Sequence, residues 1–136
     1  MSKIRSTVSK RNKFYISKNR FLMLYYYCLQ YKDWQQEYIN LHGIRTVNTD
    51  GLSGSRGSGN PTAAAGERAA ELSDKMDVIE DTAKEAAPEI WMYILLAVTT
   101  EGMTFDKLKG KGLPCERKMY YNCRRRFYWL LDKKIS

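Results

Sequence analysis

The residues with the most chemistry to offer lie near the C-terminus, where Arg117, Lys118, Tyr121, Asn122, Arg124 and Arg125 crowd one short stretch. An arginine's planar fork holds a phosphate, or the O6 and N7 edge of guanine, with two hydrogen bonds, and asparagine pairs in a similar way with adenine. The chemistry available is noncovalent recognition of a polyanion that carries base edges. Lys107, Lys109 and Lys111 precede this cluster and would lie near a nucleic-acid backbone.

Other chemistries fare worse. His42 is the sole histidine, with no Glu four positions away and no paired cysteines nearby, so it reads as a loop residue at the end of the first helix. Cys115 and Cys123 are eight positions apart without a CxxC pair, which does not suit a zinc site; Cys123 reads as a core residue. The stretch Gly54 to Thr62 is rich in glycine but lacks the Gly-Lys-Ser/Thr ending of a phosphate-cradling loop. The carboxylates between Glu71 and Glu85 scatter as a solvated helix face would. No catalytic residue, metal site or cofactor is assigned, and the chain reads as a binding protein and not an enzyme.

The placement of charge supports that reading. The 136 residues make one ordinary domain, with 23 Lys and Arg against 15 Asp and Glu, a net charge of +8 and 43% hydrophobic residues. Residues 1–20 carry seven bases and no acid, residues 21–105 six bases and twelve acids, and residues 106–136 ten bases and three acids. Basic ends around an acidic middle point to a polyanion-binding surface on particular elements. Three widely spaced cysteines and the lack of a secretory leader predict a reducing, cytoplasmic setting. The longest apolar runs, Phe21 to Leu29 and Ile90 to Val98, fall far short of the roughly 20 residues a membrane span needs, so no membrane role is expected.

Hydrophobic spacing then supplies the elements that must position the cluster. The expected fold is all-α, a single helical domain over 17–136 behind a basic tail, 1–16, that is expected to be disordered in isolation. From a Ser17 cap, Leu24, Cys28, Tyr31, Tyr38 and Leu41 mark one long first helix ending near Gly43. A flexible Gly/Ser-rich loop follows over 43–60. Asn60 and Pro61 open a second helix, on which Leu72, Met76, Ile79, Ala83 and Ala86 keep helical spacing until Pro88 stops it. Pro88 also starts a third, largely apolar helix that Gly102 ends. Thr104 caps a short fourth helix, Gly110, Gly112 and Pro114 make a turn, and Cys115 to Lys134 forms the fifth.

Residues 104–134 thus read as a helix-turn-helix, which places the start of its second helix in the major groove. On a helical wheel Met119, Cys123, Phe127, Leu130 and Leu131 gather on the core side, with Arg117, Lys118, Tyr121 and Arg125 opposite, Asn122 and Arg124 at the flanks and Arg126 nearer the apolar boundary. Arg117, Lys118, Tyr121 and Asn122 are the candidate base readers, and Arg124 and Arg125 the phosphate clamps. At least one of Tyr25, Tyr26 and Tyr27 must lie outside the core, and Tyr128 and Trp129 face away from the apolar stripe. Such aromatics suit a partner or a dimer contact, or a covering N-terminal segment.

Four anchors give a family resemblance: Tyr31-Lys32-Asp33-Trp34, Gly59-Asn60-Pro61-Thr62, Leu113-Pro114-Cys115, and Tyr120 through Leu131. In this order, across residues 17 to 134, the chain resembles phage-encoded transcriptional regulators of the RinA and ArpU type, whose C-terminal part is similar to region four of bacterial sigma factors. The resemblance implies activation of phage late or packaging operons at promoter DNA in a bacterial host. It carries over most directly to Arg124, Arg125, Phe127 and Leu131. Double-stranded DNA is then the expected partner, with RNA polymerase and a second copy of the chain as further ones. The alternative reading is a small phage protein that binds another protein, a polymerase-associated factor or a host-nuclease inhibitor, through the same scaffold.

Overall fold

The computed structural model describes residues 11–48 and 59–135, and the side chains of all of these except 43–48 and 59–62. Among them the chain is all-helical: α1 (Lys18–Leu29), α2 (Tyr31–Asn48), α3 (Gly59–Ala86), α4 (Trp91–Thr99), α5 (Phe105–Gly110) and α6 (Arg117–Ile135). None of these helices is long and apolar enough to cross a membrane.

The long first helix of the sequence reading is two helices. Ser17 caps α1 as expected, its hydroxyl accepting from the Arg20 N–H at 3.2 Å. The helix then closes at Gln30, whose N–H reaches back to the Tyr27 carbonyl at 3.2 Å in the tighter three-residue step. Gln30 keeps right-handed helical angles (φ −73°, ψ −12°), so apolar spacing passes through the break without a visible fault. Gly43 does not end α2, which continues to Asn48, and α3 opens at Gly59. The loop expected over 43–60 is therefore helical at both ends; its remaining residues, 49–58, lie outside the described ones. His42 accordingly sits within α2 rather than in a loop, its ring 4.4 Å from that of Tyr38.

Two compact units are present, Met1–Gln30 with Val78–Ser136, and Tyr31–Asp77. In the smaller unit Tyr31, Trp34, Leu72 and Met76 are buried. Arg68 pairs through Nε and Nη2 with both carboxylate oxygens of Glu37, at 2.7 and 2.9 Å, which holds the Glu37 carboxyl below the usual range. Lys75 lies over the Trp34 ring at 5.4 Å.

The larger unit carries the basic C-terminal helix. Its core takes Phe21, Leu24 and Cys28 from α1, Ile79 and Ala83 from the end of α3, Ile94 and Val98 from α4, and Tyr120, Phe127, Tyr128 and Leu131 from α6. α1 packs on both α4 and α6, and α4 on α6. Burying Phe127 or Leu131 completely contributes about 1.5–3 kcal/mol each. Thr82 and Thr99 are buried yet satisfied, each hydroxyl donating to the carbonyl four residues back, Val78 at 2.6 Å and Leu95 at 2.7 Å. Pro88 does separate two helices, but α4 begins at Trp91 and not at the proline, with a turn over 88–90 between them.

Packing also begins before residue 17. Phe14 donates its N–H to Asn12 Oδ1 at 2.8 Å, its ring lies 5.4 Å from Trp129 on α6, and Ile16 is buried. The part of the basic tail within the described residues therefore covers one of the aromatics that the sequence left without a neighbour. Residues 1–10 lie outside the described ones.

Candidate nucleic-acid interface

The basic cluster is set by how α5 ends and α6 begins. Thr104 caps α5, its hydroxyl accepting from the Lys107 N–H at 3.2 Å. At the other end Gly112 (φ +108°) donates to the Lys109 carbonyl at 3.1 Å, and Leu113 donates to that of Leu108 at 3.0 Å. That paired closure is the Schellman pattern, and its usual companion, apolar contact between the two flanking positions, is served by the buried Leu108 and Leu113. The positive φ favours a residue without a side chain, and a Cβ at Gly112 would stand 3.1 Å from the Tyr93 hydroxyl.

Each of the three lysines is exposed, with different consequences. Lys109 donates through Nζ to the carbonyls of Leu113, at 3.2 Å, and Cys115, at 3.4 Å, so it braces the turn. Lys107 reaches the Gly102 carbonyl at 3.2 Å. Lys111 contributes its backbone to the close of α5 and leaves its side chain in solvent.

On α6 the buried side is rotated from the one the wheel gave. Tyr120, Phe127, Tyr128 and Leu131 face inward, Cys123 is half-buried, and Met119 is 40% exposed. Tyr128, expected outside, is 2% exposed. Its ring and that of Tyr120 offer more apolar area than Met119, and Phe21 receives Tyr128 edge-on with centroids 5.0 Å apart. The Tyr128 hydroxyl is buried with no hydrogen-bond partner among the described residues.

This rotation sorts the predicted readers and clamps. Arg117, Lys118 and Asn122 are exposed, while Tyr121 and Arg125 are half-buried; Lys118, Asn122 and Arg125 lie on the outer side of the helix, and Arg117 owes its exposure to its place in the first turn. Asn122 accepts from Arg125 Nη1 at 2.8 Å through its Oδ1, which leaves its amide nitrogen directed elsewhere. Tyr121 stands edge-on against Tyr120 at 4.8 Å. Arg124 does not join them: it is half-buried, its guanidinium 5.4 Å from the Tyr128 ring and 6.0 Å from that of Phe21, tying α6 to α1. Arg126, which the wheel placed near the apolar boundary, is exposed. Putting Tyr120 and Tyr128 inward on the wheel would have found it.

Asp106 is the other residue the sequence reading passed over. Its carboxylate receives Arg117 Nη2 at 3.4 Å, and the same guanidinium lies 4.6 Å from the Phe105 ring. Beside the first turns of α6 runs a groove of about 500 Å3, lined by Pro114, Cys115, Glu116, Lys118, Met119, Asn122 and Cys123. Burial pushes both of its thiols up from their ordinary range, which disfavours a reactive thiolate. Among the described residues no three His, Cys, Asp or Glu side chains are grouped to hold a metal ion. Family models, curated proteins and solved structures were all compared with the chain, and none matches.

Proposed function

We propose that this protein is a sequence-specific double-stranded DNA-binding transcriptional regulator of phage or prophage genes, with α5 and α6 as its helix-turn-helix. Support comes chiefly from α6, one side of which is buried among aromatic rings while Lys118 and Asn122 on the other side, and Arg117 in the first turn, are exposed at its start. A recognition helix needs that division, because its first turns enter the major groove while its opposite side holds the domain together. Arg117 and Asn122 then read base edges, and Lys118, Arg125 and Arg126 meet phosphates, with Lys107 and Lys111 nearby. Arg124 serves the core contact with α1 and supports the surface indirectly. The resemblance to RinA- and ArpU-type regulators points the same way, toward promoter DNA in a bacterial cytoplasm and RNA polymerase as a partner there.

The test is selection of bound duplexes from a random pool, followed by titration of the enriched site against salt and measurement of the mass of the complex. One enriched site is expected, with log K falling by about 0.9 per phosphate neutralised for each unit of log salt. Arg117→Ala and Asn122→Ala should each change the base preference at one position, and Arg126→Ala should weaken all sequences alike. A pool that returns no enriched sequence overturns the proposal.

A second reading, capture of a protein partner, is favoured by the groove beside Met119 and by Met92, which is 66% exposed on α4. Binding of duplexes that stays weak and indifferent to sequence would support it.

A further inference from the structure

Among the cations in the first half of α6, Arg117 is distinguished by an acidic partner. The other ion pairs of that helix among the described residues involve Asp132 and Lys134, near its far end. The pair is open to solvent, with 60% of the Arg117 side chain and 81% of the Asp106 side chain exposed, so its contribution to stability is small. Its geometry is more telling. One edge of the guanidinium is engaged by the carboxylate and one face by the Phe105 ring, at 4.6 Å, which restricts the rotamers of a long side chain. The remaining donors of the fork stay available. A carboxylate beside them repels the full charge of a phosphate more strongly than the partial charges on the O6 and N7 edge of guanine, which offers two acceptors and no formal charge.

We propose that Asp106 is a positioning residue that dedicates Arg117 to a guanine base in duplex DNA and keeps it off the phosphate backbone. The inference rests on the duplex-binding reading above. It predicts that removing the carboxylate frees Arg117 to become one more phosphate clamp, so affinity for arbitrary DNA rises while discrimination falls.

The experiment is parallel duplex selection and salt titration with the full chain carrying no change, Asp106→Ala, Asp106→Asn, Arg117→Ala, or both alanine changes. The unaltered chain should select guanine at one position, and Asp106→Ala should lower preference for it by roughly tenfold, the lower part of the range expected for a lost bidentate contact. The salt slope of Asp106→Ala should steepen by about 0.9, one phosphate more, a change that a purely structural role for Asp106 would not produce. Asp106→Asn keeps an acceptor without the charge and should fall between. With Arg117 already alanine, Asp106→Ala should cost no further preference. If the unaltered chain selects a site and Asp106→Ala keeps the same guanine column and the same slope, the proposal is overturned while duplex binding stands. If the unaltered chain selects nothing, both readings fall together.

Discussion

Gly112 gives the sharpest test of the turn between α5 and α6. Replacing it with alanine forces a side chain onto φ +108° and sets a Cβ 3.1 Å from the Tyr93 hydroxyl. Backbone strain of this kind costs about 1–3 kcal/mol. Two other glycines serve as internal controls. Gly102 has φ +79° with nothing within 4 Å of a Cβ, so alanine there meets torsional strain alone, about 1–2 kcal/mol. Gly110 ends α5 without a positive φ and with open space, so alanine should stabilise by about 0.5–1 kcal/mol through the unfolded chain. Urea denaturation should therefore rank the variants Gly112→Ala lowest, Gly102→Ala next, and Gly110→Ala above the unaltered protein. Thermal midpoints should separate by roughly 3–5 °C per kcal/mol for a chain of this length. Adding Tyr93→Phe to Gly112→Ala should restore only a small part, because torsion and not the contact carries most of the loss. If Gly112→Ala proves no more costly than Gly110→Ala, the turn is not closed as described and the placement of α6 loses its basis.

Tyr128→Phe should stabilise, by about 1 kcal/mol, because it removes a buried hydroxyl that has no partner among the described residues; a lower urea midpoint would show that the hydroxyl is hydrogen-bonded after all. Stability should also decline in alkali. Burial holds the Cys28 thiol and the Tyr128 phenol well above their ordinary ranges and pushes Tyr120 up to about 12. The folded chain thus keeps protons that an unfolded one releases above roughly pH 8.5 for the thiol and pH 10 for the phenols. The stabilisation is complete below those values and diminishes as the pH rises past them. Urea midpoints across pH 7 to 11 should show this, with a shallower decline in Cys28→Ala; identical profiles would argue that Cys28 is not buried.

What the sequence disclosed and what it hid divide along a physical line. Ser17, Thr104, Pro88 and the Gly112 turn were legible because caps, prolines and positive-φ positions act through their own backbone and a few neighbouring atoms. The break at Gln30 was not legible, since a single tightened step with helical angles does not disturb a pattern of apolar spacing. Nor was the roll of α6. Whether tyrosine or methionine faces inward depends on the ring that meets it, and Phe21 lies more than a hundred positions earlier in the chain. That roll decides which arginines are surface and which are structure: Arg124 moves to the aromatic contact, and Arg126 takes an open place. The pairing of Asp106 with Arg117 was hidden for the same reason, because it joins two helices across a turn whose angle spacing alone does not specify.

The ammonium of Lys109 ties together the two carbonyls that precede α6, so its proton-bearing nitrogen works as a fastener within the chain. An acyl group on that nitrogen would remove the charge and two of its three donors at once, so that at most one of the Leu113 and Cys115 carbonyls could still be served. Lysine chemistry at this position would therefore be felt as a change in the bearing of the following helix, well beyond the loss of one positive charge.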